Sequence, residues 1–162
     1  LGASAWINMD GNNATFSNAA AWGSEPTDTV LTHGQGLANQ GDCILYAWAE
    51  IEGYSKFGSY LGNENADGPF VYCGFRPSYV MIKIVTGESR DWHVYDSSRN
   101  PVNPVGLNMR PSANSAELDE PGIDFLSNGF KIRATWLFSN DQGSTIVYAA
   151  FAESPFTTAN AR

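Results

Sequence analysis

The chain has 162 residues, of which 43% are hydrophobic and 13% aromatic, a composition typical of a folded globular chain. Its 17 acidic and 9 basic residues leave a formal net charge of −8, which repels phosphate backbones and argues against nucleic acid as a partner. No run of 18 apolar residues is present, so we expect no membrane insertion. Sixteen Gly and eight Pro imply frequent turns. We therefore predict an all-β fold, an antiparallel β-sandwich-like module with long loops.

The end of the chain echoes its beginning. Residues 41–57 read GDCILYAWAEIEGYSKF, and residues 143–156 read GSTIVYAAFAESPF. The tripeptide Ile7-Asn8-Met9 is likewise echoed by Leu107-Asn108-Met109. The same landmarks in the same order predict a partial internal repeat.

The echo also predicts a domain organisation. We expect a truncated first repeat over residues 1–57 and a complete second repeat over residues 58–162, together forming one compact domain. Because the chain starts with Leu1 inside a repeat, we expect it to be part of a longer, repetitive protein. No signal peptide is recognisable at its start.

The first predicted strand lies in the first echoed segment. Cys43–Glu50 and its counterpart Thr145–Glu153 are nearly continuous apolar runs. An initial Gly and the aromatic content favour strands buried on both faces over helices. Polar and turn-forming residues dominate 10–42, 58–69 and 98–122, which we predict to be mainly loops.

Two hairpins are predicted between the echoed segments. In Tyr79–Val85 the β-branched residues alternate with other side chains, which predicts a strand with one apolar face, paired with Trp92–Asp96 across a turn at residues 87–89. Ile123–Leu126 and Phe130–Arg133 flank an Asn-Gly pair, which tolerates the positive φ angles of a type I′ turn. A short helix could start within residues 114–117.

The two cysteines, Cys43 and Cys73, lie in apolar runs and are expected to be buried free thiols, with a disulfide as the open alternative. No CxxC motif or His-rich cluster accompanies them, so we do not expect the cysteines to bind a metal ion. Asp10–Asn13 and Asn63–Asp67 carry oxygen ligands that suit Ca²⁺, but the twelve-residue EF-hand spacing is missing. We predict neither a metal nor a cofactor.

Catalytic motifs are missing from the sequence. It has no Gly-x-Ser-x-Gly elbow, phosphate-binding Gly-rich loop or His-Glu-x-x-His. His93 and Asp96 would face opposite sides of a strand, so we expect His93 to be a packing or surface residue. Paired carboxylates could hydrolyse glycans, although solvated acids are the default. The candidate pairs are Glu50/Glu52, Asp91/Asp96 and Glu117/Glu120. We predict no catalytic residue.

Aromatic residues near polar loops are the candidate binding residues. Such rings can stack against sugars while neighbouring Asn and Asp side chains bind hydroxyl groups. The alternative is that they pack the repeat interface or a trimer axis. The candidates are Trp6, Trp22, Tyr54, Tyr60 and Trp92.

A series of aromatic and turn motifs over roughly residues 40–162 resembles a domain family found near the C-terminal end of bacteriophage tail-fibre and related virion proteins. The motifs, in chain order, are Gly53-Tyr54-Ser55-Lys56-Phe57-Gly58-Ser59-Tyr60, Asp67-Gly68-Pro69-Phe70-Val71-Tyr72, Gly74-Phe75-Arg76-Pro77, Tyr95-Asp96-Ser97-Ser98-Arg99-Asn100-Pro101, Asp124-Phe125-Leu126-Ser127-Asn128-Gly129-Phe130-Lys131 and Tyr148-Ala149-Ala150-Phe151-Ala152-Glu153-Ser154-Pro155-Phe156.

The resemblance implies a β-rich structural or attachment module, forming a homotrimer in the extracellular virion beside other tail proteins. It supplies no catalytic residue. We expect a tail-fibre or spike tip that attaches to a host-surface receptor, a glycan or a protein. The alternatives are a carboxylate-based glycan depolymerase and a purely structural trimerisation module.

Overall fold

A computed structural model describes most of the chain from residue 46 onward and scattered positions before it. The described residues are 46–154 apart from 88–89 and 136–137, together with 5–7, 9, 16–17, 24, 27, 29–30, 32 and 34. The chain divides into two compact units, residues 1–8 with 15–48 and residues 9–14 with 49–162. The repeat boundary at residue 57 stays a prediction.

In the first unit, strand β1 (Ala5–Trp6) pairs antiparallel with strand β2 (Phe16–Ser17). A turn follows further along, where the Thr27 N–H donates to the Val30 carbonyl at 2.9 Å. The Val30 N–H in turn donates to Oγ1 of Thr27 at 3.0 Å.

The second unit is built on one eight-stranded antiparallel sheet that is nearly closed on itself. Its order is β3-β10-β5-β6-β7-β8-β9-β4, so β3 and β4 are the two edges. The antiparallel all-β prediction is confirmed. The strands are β3 Ser55–Leu61, β4 Phe70–Tyr72, β5 Tyr79–Ile84, β6 His93–Asp96, β7 Val105–Met109, β8 Leu118–Leu126, β9 Gly129–Ile132 and β10 Thr145–Phe151.

The core lies on the inner face of this sheet. Val80 and Ile82 of β5 are fully buried, as the alternation in the sequence predicted. Phe130 is also fully buried and lies between two tyrosines, with its ring centroid 6.2 Å from that of Tyr60 and 5.4 Å from that of Tyr148, both edge to face. Aromatic rings therefore bridge opposite parts of the rolled sheet.

Both predicted hairpins are confirmed, one with a different turn. β5 pairs with β6, and Gly87 in their connection has a φ of 77°. β8 pairs with β9 up to Leu126 opposite Gly129, but neither Asn128 nor Gly129 has a positive φ, so the predicted type I′ turn is wrong. The Asn128 carbonyl instead accepts hydrogen bonds from two amides at the end of β4.

The first echoed segment does not form the predicted strand over its described part. Residues 46–50 are irregular and exposed, while residues 43–45 lie outside the described part of the chain. β10 is a strand, as predicted, but only one of its faces is buried. Ile146, Tyr148 and Ala150 point inward, whereas the alternate residues are half-buried, so burial on both faces is wrong.

Two further corrections concern the segment 98–122. This segment contains β7 and the start of β8 in addition to loops. The segment 58–69, also predicted as loop, contains the last residues of β3. The possible helix at 114–117 is not formed, and the described residues contain no helix at all. Among them there is accordingly none with the length and hydrophobicity to cross a membrane.

Candidate binding surface

Two of the five predicted binding residues are buried. Tyr60 is 9% exposed, and its hydroxyl donates to the Ser139 carbonyl at 2.9 Å. Trp92 is 6% exposed, and the Lys83 ammonium lies 5.5 Å from the centroid of its ring. Neither ring has a free face for a sugar. Their predicted role in stacking is therefore corrected to packing.

The remaining three candidates have different positions. Trp6 contributes its backbone to β1, and Trp22 lies outside the described residues. Tyr54 is half-buried in an aromatic cluster around Phe151 on the outer face of the sheet. The ring centroids of Tyr54 and Phe57 lie 6.2 and 5.6 Å from that of Phe151.

This outer cluster is packed edge to face. Tyr79 approaches Phe151 from the neighbouring strand with a centroid separation of 5.9 Å and an interplanar angle of 61°. The Tyr79 hydroxyl points to the sulfur of Met81, and burial raises its pKa. Because the rings of this cluster pack against one another, half-buried Tyr54 offers a ligand less open surface than an isolated exposed ring would.

The sequence did not predict the exposed aromatic pair formed by Tyr46 and Trp48. Their side chains are 71% and 66% exposed, and the rings are stacked with centroids 6.2 Å apart and an interplanar angle of 19°. We name these two residues the aromatic platform. Contiguous apolar surface that stays exposed in a folded protein marks a site of interaction with a partner or ligand. The spacing Tyr-x-Trp was the available signal, obscured by the expectation of a buried strand.

The chain directly after the platform is firmly held. The Ser55 hydroxyl donates to the Ala49 carbonyl at 2.8 Å. One oxygen of Glu50 accepts from the Lys56 ammonium at 2.7 Å, and the other accepts from the Phe57 amide at 3.1 Å. Both contacts lower the pKa of Glu50, and the hydrogen bond from Lys56 has the larger effect. Three hydrogen bonds therefore hold residues 49–50 against the start of β3.

Four of the six candidate catalytic carboxylates, at least one in each pair, form ion pairs with Lys or Arg. Asp96 and Glu117 both bind Arg99 at 2.8 Å, and Asp91 lies 3.5 Å from Arg110. A glycosidase needs one carboxyl group with a raised pKa as general acid. The pKa of Glu50 is shifted in the opposite direction. The geometry thus gives no support to these carboxylates as an acid–base pair.

The loop considered for Ca²⁺ uses its oxygens internally. Oδ1 of Asn63 accepts from the Asn65 amide at 3.1 Å, and Oδ1 of Asn65 accepts from the Asp67 amide at 2.8 Å. Asp67 itself binds Lys131 at 2.7 Å, which lowers its pKa. Within the described residues no three His, Cys, Asp or Glu side chains form a possible metal site. The other loop, Asp10–Asn13, lies outside them.

Cys73 and His93 are both interior residues. Cys73 is a buried free thiol, as predicted, and burial raises its pKa to about 12, which keeps it protonated and unreactive at neutral pH. Cys43 lies outside the described residues. His93 is 3% exposed, and its Nδ1 lies 3.0 Å from Oδ1 of Asn108. Burial lowers its pKa, so the ring is neutral at pH 7.

Comparison with known proteins identifies a family but no activity. No curated protein and no solved structure matches the chain. One family matches residues 1–155, which is nearly the whole length. The chain therefore belongs to the family described as a domain of unknown function, DUF7483.

Proposed function

We propose that the chain is a non-enzymatic attachment module of a bacteriophage tail fibre, a virion tip segment that binds a glycan on the surface of the host bacterium. The observation that carries the proposal is the aromatic platform, since Tyr46 and Trp48 are stacked and largely exposed. The outer faces of two nearly parallel rings offer flat apolar area, which suits the C–H-bearing face of a pyranose. Tyr and Trp also bring polar groups that can bind sugar hydroxyls.

Charge narrows the class of glycan. The chain carries a formal net charge of −8, and a field of that sign disfavours the approach of anionic polysaccharides. A neutral, hexose-rich surface glycan meets no such repulsion. The proposed ligand is therefore a neutral glycan rather than a phosphorylated or uronic-acid polymer.

The ion pairs of the candidate carboxylates support the proposal that the module does not cleave its ligand. Arg99 binds both Asp96 and Glu117, and Lys56 binds Glu50. The hydrogen bond to Lys56 lowers the pKa of Glu50, which makes this carboxylate a poor proton donor at neutral pH. A module that holds its ligand without cleaving it would keep a phage attached to the intact host surface.

The proposal includes assembly as a homotrimer in the fibre, together with other tail proteins. The half-buried aromatic face around Phe151 supports it, because that face has apolar area a neighbouring protomer could cover. Light scattering of the purified chain measures the mass directly. A mass three times that of one protomer is expected, and a stable single protomer would contradict this part of the proposal.

Glycan binding is tested on an array of bacterial surface polysaccharides, followed by affinity measurement on the best neutral ligand. We expect Tyr46→Ala combined with Trp48→Ala to weaken binding roughly thirtyfold, the loss of about 2 kcal/mol typical of an aromatic hot spot. The control is Tyr72→Ala, which removes another Tyr that is 65% exposed, in β4.

Three outcomes of this experiment count against the proposal. Equal weakening by Tyr72→Ala and by the platform variant would mean that the platform is not the binding site. Release of new reducing ends from the bound glycan would establish the depolymerase alternative. Failure to bind any glycan on the array would favour the structural module.

A further inference from the structure

A buried histidine on β6 has its tautomer set by its neighbours. Nδ1 of His93 lies 3.0 Å from Oδ1 of Asn108. The orientation of that amide is determined, because its Nδ2 donates to the carbonyls of Gly106 at 3.1 Å and Leu118 at 3.5 Å. The amide oxygen must then face the imidazole, and an oxygen acceptor requires a proton on Nδ1.

The second nitrogen of the ring is consequently a hydrogen-bond acceptor. Burial keeps the His93 imidazole neutral, so with its single proton on Nδ1 the Nε2 atom carries a lone pair. Nε2 is buried and has no hydrogen-bond partner among the residues that the structure describes. Buried polar atoms in folded proteins nearly always have a partner, either protein or water.

His93 lines a small pocket at this position. Asn108, Glu120 and Ser139 contribute to its polar lining, and Phe138 contributes to its apolar part. The space open to the centre of a water-sized sphere is about 10 Å³. That is about the volume required by one water molecule, which also needs two to four polar partners.

We propose that this pocket is a binding site for one ordered water molecule, which donates a hydrogen bond to Nε2 of His93. Glu120 and Ser139 provide the polar lining for its remaining hydrogen bonds. An apolar guest would leave the lone pair without a partner. A metal ion is disfavoured, because the described residues do not bring three His, Cys, Asp or Glu side chains together. The site is independent of the platform and of the attachment function.

Two measurements on the unaltered chain test the site. In a crystal structure that resolves ordered water, we expect a water oxygen about 2.7–3.2 Å from Nε2 of His93. Long-range ¹H–¹⁵N spectra at pH 7 should show Nδ1 protonated and Nε2 unprotonated. An empty pocket in the crystal, or a proton on Nε2, would overturn the proposal.

A variant separates the role of Nε2 from that of the cavity alone. His93→Phe replaces the imidazole with a ring that has no acceptor, and we expect the long-lived water detected by magnetic relaxation dispersion to disappear. Tyr72→Phe, an exposed substitution that also introduces Phe, should retain it. Retention of the water in His93→Phe would contradict the assignment. If this variant does not fold, the two measurements on the unaltered chain still decide the proposal.

Discussion

Two segments of this chain have nearly the same Tyr-Ala-rich sequence and opposite environments. Residues 46–50 are exposed and irregular. Residues 145–151 form β10, which pairs with β3 on one side and with β5 on the other. An apolar, aromatic pattern is thus insufficient to specify a strand. A segment with this pattern forms a strand where neighbouring strands provide hydrogen-bond partners for its backbone and a core against which its side chains pack.

Side-chain size distinguishes the two copies. When Tyr46 is aligned with Tyr148, Trp48 falls at the position of Ala150. Ala150 is fully buried and lies opposite Val80 in the ladder. A closely packed interior has no room for an indole there. The buried copy therefore serves the fold, and we propose that the exposed copy serves binding.

The largest change in stability is expected when Trp, the residue at position 48 of the exposed copy, is placed at the matching position 150 of the buried copy. Ala150→Trp inserts a large ring at a fully buried position, and we expect the free energy of unfolding to fall by more than about 3 kcal/mol. Ala47→Trp, at an exposed position of the other copy, should change it by less than about 0.5 kcal/mol. Urea unfolding monitored by fluorescence measures both. Similar midpoints for the two variants would contradict the comparison.

Removal of the tyrosine that both copies share should give the second largest difference in stability between them. Tyr148 packs edge to face against Phe130, so Tyr148→Ala is expected to destabilise the fold by about 3–5 kcal/mol. Tyr46→Ala removes a side chain that is 71% exposed and should stay within about 0.5 kcal/mol of the parent chain. If the two substitutions had equal effects on the urea midpoint, the assignment of scaffold and surface would be wrong.

The anchor of the segment that leads into β10 provides a third test. Oδ1 of Asn140 accepts from the Asn63 amide at 2.9 Å, and its Nδ2 donates to the carbonyls of Asn65 and Ala134, both at 2.8 Å. Asn140→Ala leaves these groups unpaired, and a loss of about 3 kcal/mol is expected. The exposed Asn114→Ala is the control, expected within about 0.5 kcal/mol. Equal unfolding curves for the two variants would rule out the anchor.

Alkaline pH should produce the smallest of these effects. Burial, with smaller contributions from Cys73 and Glu50, raises the pKa of Tyr148 to about 12 from an ordinary value of 10. The unfolded chain then loses this proton first, so the contribution of Tyr148 to stability is full below pH 10 and decreases as the pH rises toward 12. Tyr148→Phe should remove up to about 2 kcal/mol of that decrease.

The matched control for the alkaline test is Tyr46→Phe, whose side chain is exposed in the folded chain. Urea unfolding at pH 8, 10 and 11 follows the difference from the parent chain. If Tyr46→Phe reduced the alkaline loss as much as Tyr148→Phe, burial of Tyr148 would not be its cause.

Local periodicity predicted the parts of the sheet that depend on near neighbours. Val80, Ile82 and Ile84 alternate in the sequence and are buried, and β8 and β9 join in a tight hairpin. The segment 98–122 was not predicted as strand, because polar and turn-forming residues dominate it and have low strand propensity. Glycine is required at position 122 by a residue distant in sequence, because a Cβ there would come within 2.3 Å of the Tyr95 ring.

The candidate surface was harder to predict than the fold. Tyr60 and Trp92 stand beside polar residues in the sequence, yet both are buried. Tyr60 bonds to the carbonyl of Ser139, and the Trp92 amide bonds to Ser112, both far along the chain. Tyr46 and Trp48 stand in an apolar run and are exposed. Neighbours in sequence report poorly on exposure when the strands that cover a residue come from far along the chain.

The central claim, that the exposed copy binds while the buried copy supports the fold, is tested most directly by one paired measurement. The combined variant Tyr46→Ala and Trp48→Ala is compared with the parent chain for glycan affinity and for the free energy of unfolding. We predict roughly thirtyfold weaker binding with stability unchanged within about 0.5 kcal/mol. Unchanged affinity in a variant of unchanged stability would contradict the account.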